Sequence, residues 1–416
     1  MKSQVSYELN GDVASKYISL SDDFGTHNYH PLPVVIAKGL GEWVWDVNGK
    51  KYLDMLSAYS ALNQGHCHPR MLETLVKQAE KLTISSRAFH NVEMGPWLSE
   101  LTNLCGKARA IPMNTGAEAV ETAIKMARKW GYEVKKVPHN SAEIIVCSDN
   151  FHGRTTTIVG FSTDKQYQNG FGPFTPGFKV IPFGDAEALK KAIGPNTVGF
   201  LVEPIQGEAG VKVPAQGYLS EISKICKANR VLLMVDEIQT GLARTGKMFA
   251  FQHEDCEPNL IILGKALGGG FYPISAVVGD DEVLNLLKPG DHGSTFGGNP
   301  LACALSRTAI RILIDENLIE RSEKLGKKFR NALEPLKKKW VAEIRGKGLL
   351  NAIELKPEAG KGRNYTEALM KRGILAKETH ENTVRFAPAL NIAEESLDWA
   401  IENILEVFSK SPAELI

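Results

Sequence analysis

Short, continuous apolar runs recur along the chain with amphipathic stretches between them. AEIIVCSDN (142–150), TVGFLVEP (197–204), VLLMVDE (231–237), NLIILGK (259–265) and ISAVVGD (274–280) are all strand-length, and turn residues follow them. Runs without polar alternation predict strands buried on both faces, and their alternation with amphipathic helices predicts a doubly wound, mostly parallel α/β sheet. Before these runs, GEWVWDVNGKKYLDM (41–55) alternates on both sides of Asn48-Gly49, as a β-hairpin does. After about residue 313 the pattern turns helical, and it closes with VRFAPAL and EESLDWAIENILEVF, a strand–helix mix. The chain is therefore expected to divide into an N-terminal segment (1–58), a large domain (59–313) and a smaller α+β domain (314–416). In MNTGAEAVETAIKMARKW (113–130), Val120, Ala123, Ile124 and Ala127 share one helical face. Acids lie early in this helix and Lys125, Arg128 and Lys129 late, which suits the helix dipole.

Composition narrows the partners. The chain has 416 residues, 43% of them hydrophobic, enough for a large core, and its net charge of +1 gives no field for nucleic acid or an anionic membrane. The densest basic run, LKKKW (336–340), reads as a solvated helix face. No apolar run approaches the roughly 20 residues that span a bilayer. Cysteines stand at 67, 105, 147, 226, 256 and 303 with no CxxC, which fits reduced thiols in a cytosol-like compartment. The first residues, MKSQVSYELNGDVASKYISLSDD, contain no apolar signal core, four acids and no arginine. A cytoplasmic location is expected; a mitochondrial matrix location would require that a presequence had been removed.

The candidate chemistry sits at strand ends. Asp236 closes one apolar run and Lys265 follows another, and in an open α/β sheet such ends point into the ligand crevice. Alone, each reads as a strand-end acid or a solvated lysine. Together they suit a cofactor with a basic ring nitrogen and a carbonyl. Pyridoxal 5′-phosphate has both: the amine can form a Schiff base and the carboxylate can keep the ring nitrogen protonated. Gly116 and Ala117 open the helix after MNT, where backbone N–H groups can receive a phosphate; an ordinary glycine-led helix is the plainer reading. In FHGRT (151–155), Phe151 can stack on a flat ring and Arg154 can clamp a carboxylate, unless it forms a structural ion pair. The hydroxyls of HGSTFGGNP (292–300) suit phosphate contact or a mobile loop. Glu203 and Glu208 follow a strand and read most simply as solvated loop acids, whereas Arg385, within an apolar strand, needs a partner.

Two further motifs point elsewhere. HCH (66–68) groups two imidazoles and a thiol, but no distant motif with zinc spacing completes a metal site. GLARTGKM (241–248) matches a phosphate-binding P-loop until Met248, where the magnesium-binding Ser or Thr should stand. A nucleotide-binding module is the rival from a different functional class, and Met248 disfavours it.

Taken together, these segments resemble the class III (subgroup II) aminotransferases over essentially the whole chain, in matching order. DEIQTGLARTG, LGKALGGG and HGSTFGGNP are shared across that class. HNYHPLPVV, SAYSALNQGHCHP, NTGAEAVETAIKMARKWGY and VRFAPAL are similar to the branch that acts on ornithine. Members acting on acetylornithine share FHGRT and QGE but lack tyrosines at the positions of Tyr29 and Tyr59. The resemblance implies a fold-type I enzyme that carries pyridoxal 5′-phosphate, forms at least a homodimer with shared active sites, and moves the δ-amino group of ornithine to 2-oxoglutarate. Acetylornithine and 4-aminobutyrate are the alternative donors. It also implies residue roles. Lys265 binds the cofactor and shuttles the proton; Asp236 pairs with the ring nitrogen, Gln239 reaches the ring hydroxyl and Phe151 stacks on the ring. Gly116 and Ala117 hold the phosphate through their backbone, joined by Ser294 and Thr295 from the partner subunit. Tyr29 holds the substrate α-amine, Tyr59 lines the pocket and Arg154 takes the α-carboxylate. Glu208 pairs with Arg385 until a dicarboxylate arrives. Two departures, Ala117 where Val is common and APAL for the usual APPL, leave the chemistry intact.

Overall fold

Consecutive residues of the central strands face opposite sides of one sheet, and both sides are covered. Ile144 and Val146 pack with Val120, Ile124 and Met234, while Ile145 and Cys147 pack with Phe200, Leu233 and Ile261. Burial on both faces is why these strands read as unbroken apolar runs. The computed structural model describes residues 13–415. Residues 1–12, on which the reading of the N-terminus partly rests, lie outside the described residues. No helix among the described residues is long and apolar enough to cross a membrane.

In chain order the strands are β1 (Ile36–Leu40), β2 (Trp43–Asp46), β3 (Lys51–Asp54), β4 (Arg109–Met113), β5 (Glu143–Cys147), β6 (Phe178–Ile181), β7 (Thr197–Val202), β8 (Leu232–Asp236), β9 (Leu260–Leu263), β10 (Ser275–Gly279), β11 (Val341–Lys347), β12 (Leu350–Leu355), β13 (Ile374–Leu375), β14 (Lys377–Thr379) and β15 (Thr383–Phe386). Seven form the large sheet in the order β4-β10-β9-β8-β7-β5-β6. Its β9-β8-β7-β5-β6 stretch is parallel. The ISAVVGD strand, β10, runs antiparallel to both β4 and β9, against the parallel rhythm expected of it. The link from β9 holds only a 3₁₀ turn, Lys265–Gly268, and a loop, whereas a parallel neighbour needs a longer crossover. The apolar pattern also passed over β4 and β6, whose Arg109, Pro112 and Lys179 interrupt it.

Two smaller sheets flank this core. The hairpin around Asn48-Gly49 forms as expected, with Gly49 at φ 83, and β1-β2-β3 gains β13 as a fourth, parallel strand. Main-chain bonds thus join the N-terminal hairpin to a strand more than three hundred residues later. The other sheet, β11-β12-β15-β14, is antiparallel and packs with helices Leu318–Leu333, Gly362–Lys371 and Glu394–Ser409.

Candidate active site

The carboxyl ends of the parallel strands converge on one cavity of about 210 Å³. Asp236 is the last residue of β8, Glu203 follows β7 directly, Lys265 lies two residues past β9, and Phe151 four past β5. All four line the cavity, with Gly116, Ala117, Glu208 and Gln239.

Its floor is buried and tightly bonded. Asp236 accepts a hydrogen bond from the Ile238 amide at 3.0 Å through Oδ1, and its Oδ2 pairs with Nδ1 of His152 at 2.7 Å. Burial alone would lower the His152 imidazole, but the Asp236 hydrogen bond and charge, helped by Glu203, raise it above its ordinary value. Nothing in the sequence singled out His152, whose only signal was its place inside FHGRT. Lys265 adopts a left-handed backbone at φ 44, a strained conformation for a side-chain-bearing residue that is typical of functional positions. Burial pushes its amine below the ordinary lysine range, opposed by the Glu208 carboxylate. Desolvation of this kind keeps more of the amine in its neutral, nucleophilic form.

Glu203 corrects the sequence reading. It is buried rather than solvated, accepts hydrogen bonds from the Phe151 and Gly207 amides at 2.9 and 3.4 Å, and has its carboxyl raised by burial to about 7. It ties the loop bearing Phe151 to the loop bearing Glu208.

Glu208, like Glu203, is not a solvated loop acid: it meets Arg385, the contact that the family resemblance implies. Arg385 projects from β15 and donates to Glu208 Oε1 at 2.6 Å. Burial would raise the Glu208 carboxyl, but the charge and hydrogen bond of Arg385, with Lys265 and Gln239 behind them, pull it down to about 2. Gln239 donates to the same oxygen at 3.1 Å and lies against Gly207, where any Cβ would collide with its amide. Tyr59 lies 5.3 Å from the Arg385 guanidinium, ring centroid to carbon. It belongs to a turn, Ser57–Ser60, in which four successive non-glycine residues have positive φ. Asp54 holds the start of that turn by accepting from the Leu56 and Ser57 amides, both at 2.9 Å. Apolar periodicity cannot signal such a turn.

The mouth is more open. Arg154 is exposed and forms no ion pair among the described residues; its guanidinium lies over the Tyr167 ring, 3.7 Å from the centroid. Tyr29 is 76% exposed, and the next two carbonyls of its segment, His30 and Pro31, accept hydrogen bonds from Arg363 at 3.2 and 3.0 Å. Ser294 and Thr295 do not line the Lys265 cavity of their own chain. They flank a shallow depression with Ser85, Ser86 and Arg87, and Asn114 donates to Ser294 Oγ at 2.9 Å.

The competing motifs resolve as structural. GLARTGKM forms consecutive turns, not a loop leading into a helix, and Arg244 is fully buried, donating to Asn63 and to the Leu349 and Pro388 carbonyls. In HCH, His66 pairs with Asp54 and His68 with Glu316, and no cluster among the described residues could hold a metal ion.

Pyridoxal 5′-phosphate fits this donor set. Gly116 and Ala117 begin helix Gly116–Trp130, whose Thr115–Glu118 capping box satisfies other end groups, and the first two helical N–H groups have no acceptor within the helix. Oε1 of Gln239 is buried without a hydrogen-bond partner among the described residues, and Lys265 lines the same cavity. At Gly153 (φ 128), a side chain would press on Ala117 at the start of that helix.

Comparison with known proteins agrees. The class-III aminotransferase family matches residues 24–408. The ornithine aminotransferase of Brevibacillus brevis is 57% identical over 94% of this chain and 97% of its own length. A structure of ornithine aminotransferase from Toxoplasma gondii, with pyridoxal phosphate at partial occupancy in its active site, superposes with a TM-score of 0.95 at 47% identity, covering 97% of this chain and 95% of that one. The acetylornithine aminotransferase of Elizabethkingia anophelis gives a TM-score of 0.88 at 52% identity, covering 95% and 99%.

Proposed function

The chain belongs to the class III aminotransferases, and from that premise we propose that it transfers the δ-amino group of L-ornithine to 2-oxoglutarate, giving L-glutamate 5-semialdehyde and L-glutamate. The observation that carries this reading is a pair of arginines in opposite states, each in contact with a residue that lines the cavity, Arg385 with Glu208 and Arg154 with Phe151. Arg385 is masked by Glu208 at 2.6 Å, while Arg154 has no acidic partner among the described residues. Ornithine presents one carboxylate and a reacting amine; 2-oxoglutarate presents two carboxylates. One free and one maskable cation serve both.

When bound, pyridoxal 5′-phosphate supplies a carbonyl that takes up the amino group and a ring that withdraws electrons from the substrate carbon. The residues supply the rest. Lys265 would hold the cofactor through its amine and, when that amine is free, would take up and return the proton of the reacting substrate carbon. Asp236, backed by His152, keeps the ring nitrogen charged, and Gln239 positions the ring hydroxyl. Phe151 covers the ring face, while the Gly116 and Ala117 amides hold the phosphate. Arg154 takes the α-carboxylate, and Tyr29 accepts a hydrogen bond from the α-amine, so that only the δ-amine reaches the reacting centre. Tyr59 walls the far end beside Arg385. Glu208 releases Arg385 to the second carboxylate of 2-oxoglutarate, exchanging one ion pair for another.

The reading extends to assembly and organisation. Two copies form a homodimer with shared sites, in which Ser294 and Thr295 of each serve the other's phosphate. Support comes from their position outside the lining of their own cavity, in a depression shared with the exposed Ile84 and next in the chain to the exposed Phe296. The division into 1–58, 59–313 and 314–416 and a cytoplasmic site of action belong to the same reading; the free state of all six cysteines supports the latter.

An amino-donor panel with 2-oxoglutarate tests the assignment. Ornithine should give the highest kcat/KM among ornithine, acetylornithine, lysine and 4-aminobutyrate. Acetylornithine is the second reading, favoured by the 52% identity to the Elizabethkingia enzyme, and its ranking first would displace the ornithine assignment.

A further inference from the structure

Arg154 is the only proposed substrate contact of its charge that lacks an ion-pair partner among the described residues, yet it is not left loose. Its guanidinium lies 3.7 Å from the Tyr167 ring centroid and 5.6 Å from that of Phe151. Tyr167 in turn meets Phe151 edge-on, with centroids 6.2 Å apart at 78°. A ring beneath a guanidinium engages its face and leaves the in-plane N–H donors free, whereas a carboxylate partner would occupy those donors. An unheld arginine would instead spread over many rotamers and lose that freedom each time a substrate bound.

Tyr167 is itself built into place. It lies on the short helix Lys165–Gln168, whose cap Asp164 accepts from the Gln166 amide at 2.8 Å. The neighbouring Gln168 side chain donates to the Gly160 and Ser162 carbonyls at 3.3 and 2.8 Å, pinning the helix back onto the segment that follows FHGRT. The ring is half-buried, so its face is a fixed surface.

We propose that Tyr167 is a positioning residue for substrate carboxylates: a shelf that orients Arg154 with its donor edge free toward the carboxylate remote from the reacting carbon, which is the α-carboxylate of ornithine and the γ-carboxylate of glutamate and 2-oxoglutarate. This rests on the reading of Arg154 as the carboxylate contact. Because every substrate carries that carboxylate, the shelf should serve both half-reactions equally, unlike Tyr29 or the Glu208–Arg385 pair.

The test uses the holoenzyme with Tyr167→Ala, Tyr167→Phe, Arg154→Ala and the Arg154→Ala/Tyr167→Ala double variant, with thermal stability and cofactor content recorded for each. In Tyr167→Ala, the KM for ornithine and for 2-oxoglutarate should each rise about fivefold, while kcat stays within about twofold. Tyr167→Phe keeps the ring face and should restore both KM values. In the Arg154→Ala background, removing Tyr167 should add nothing further, the signature of two residues acting as one unit. Additive KM losses would overturn the shelf, as would a Tyr167→Phe variant as impaired as Tyr167→Ala. A fall in kcat with unchanged KM would assign Tyr167 to support of Phe151 instead. Unchanged KM values in Arg154→Ala would remove the carboxylate role of Arg154 and the shelf with it, so the two failures are distinguishable.

Discussion

The floor and the mouth of the cavity are built on different principles. At the floor, Asp236, His152, Glu203 and Lys265 sit at the ends of buried strands, and hydrogen bonds of 2.7–3.0 Å hold Asp236 on two sides. At the mouth, Tyr29 and Arg154 are exposed, and neighbours place them indirectly: Arg363 through backbone carbonyls, Tyr167 through its ring. On the proposed reading the floor would perform chemistry common to both half-reactions, which a rigid, pre-set arrangement suits. On the same reading the mouth would receive substrates of different charge and length, which accessible groups suit. Arg385 lies between these regimes, buried like the floor yet paired with a Glu208 that must release it.

If that contrast holds, damage to the floor should be large and indifferent to substrate, and damage to the mouth small and selective. Lys265→Ala is the most severe case. Removing the group that moves the proton should slow single turnovers with ornithine and with glutamate alike, by about a thousandfold, while the variant still binds pyridoxal 5′-phosphate through the phosphate and ring contacts. A loss confined to one substrate would break the contrast. Asp236→Ala removes a charge-assisted hydrogen bond worth about 1.5–3 kcal/mol, so cofactor affinity and both half-reactions should each drop by roughly ten- to a hundredfold. Equilibrium titration with the cofactor and stopped-flow absorbance measure the two effects separately.

The Glu208–Arg385 pair should divide the half-reactions. Arg385→Ala should weaken the half-reaction with 2-oxoglutarate by about tenfold or more and largely spare that with ornithine, whereas Glu208→Ala should favour the glutamate half. Stopped-flow rates measured half by half check this, and equal losses in both halves for both variants would make the pair structural. Its pH behaviour follows from the Glu208 carboxyl, lowered from 4.5 to about 2. A depressed carboxyl contributes its stabilisation in full above the unfolded value and loses it only as the pH falls through the folded one. The preference between halves should therefore stay level from about pH 5 upward as far as this pair is concerned. The smallest effect belongs to the mouth. Tyr29→Phe removes one solvent-exposed hydrogen bond from the substrate α-ammonium group and should raise the KM for ornithine about two- to tenfold, leaving that for 2-oxoglutarate unchanged.

Much of the floor was legible in the sequence because the same physics writes both. Strands buried on both faces must be apolar throughout, so an acid closing one run or a lysine just after another stands out by contrast, and chain direction alone assigns both to the carboxyl edge. Asp236, Lys265 and the glycine-led start of helix Gly116–Trp130 followed from local pattern, and Arg385 betrayed its need for a partner by standing in an apolar strand. What pattern could not carry was contact between distant segments. That His152 backs Asp236, that Glu203 is buried, that Tyr167 carries Arg154 and that β13 completes the N-terminal sheet all depend on how loops far apart in sequence pack together. Loop residues follow no period, and burial of a single polar side chain leaves no mark on its neighbours in the chain. The direction of β10 was likewise set by the space its short link can cross, not by its composition. Local apolar periodicity determined which segments became strands and helices, and so which residues reached the sheet edge; tertiary packing alone decided which of those residues would share a hydrogen bond, a charge or a ring face.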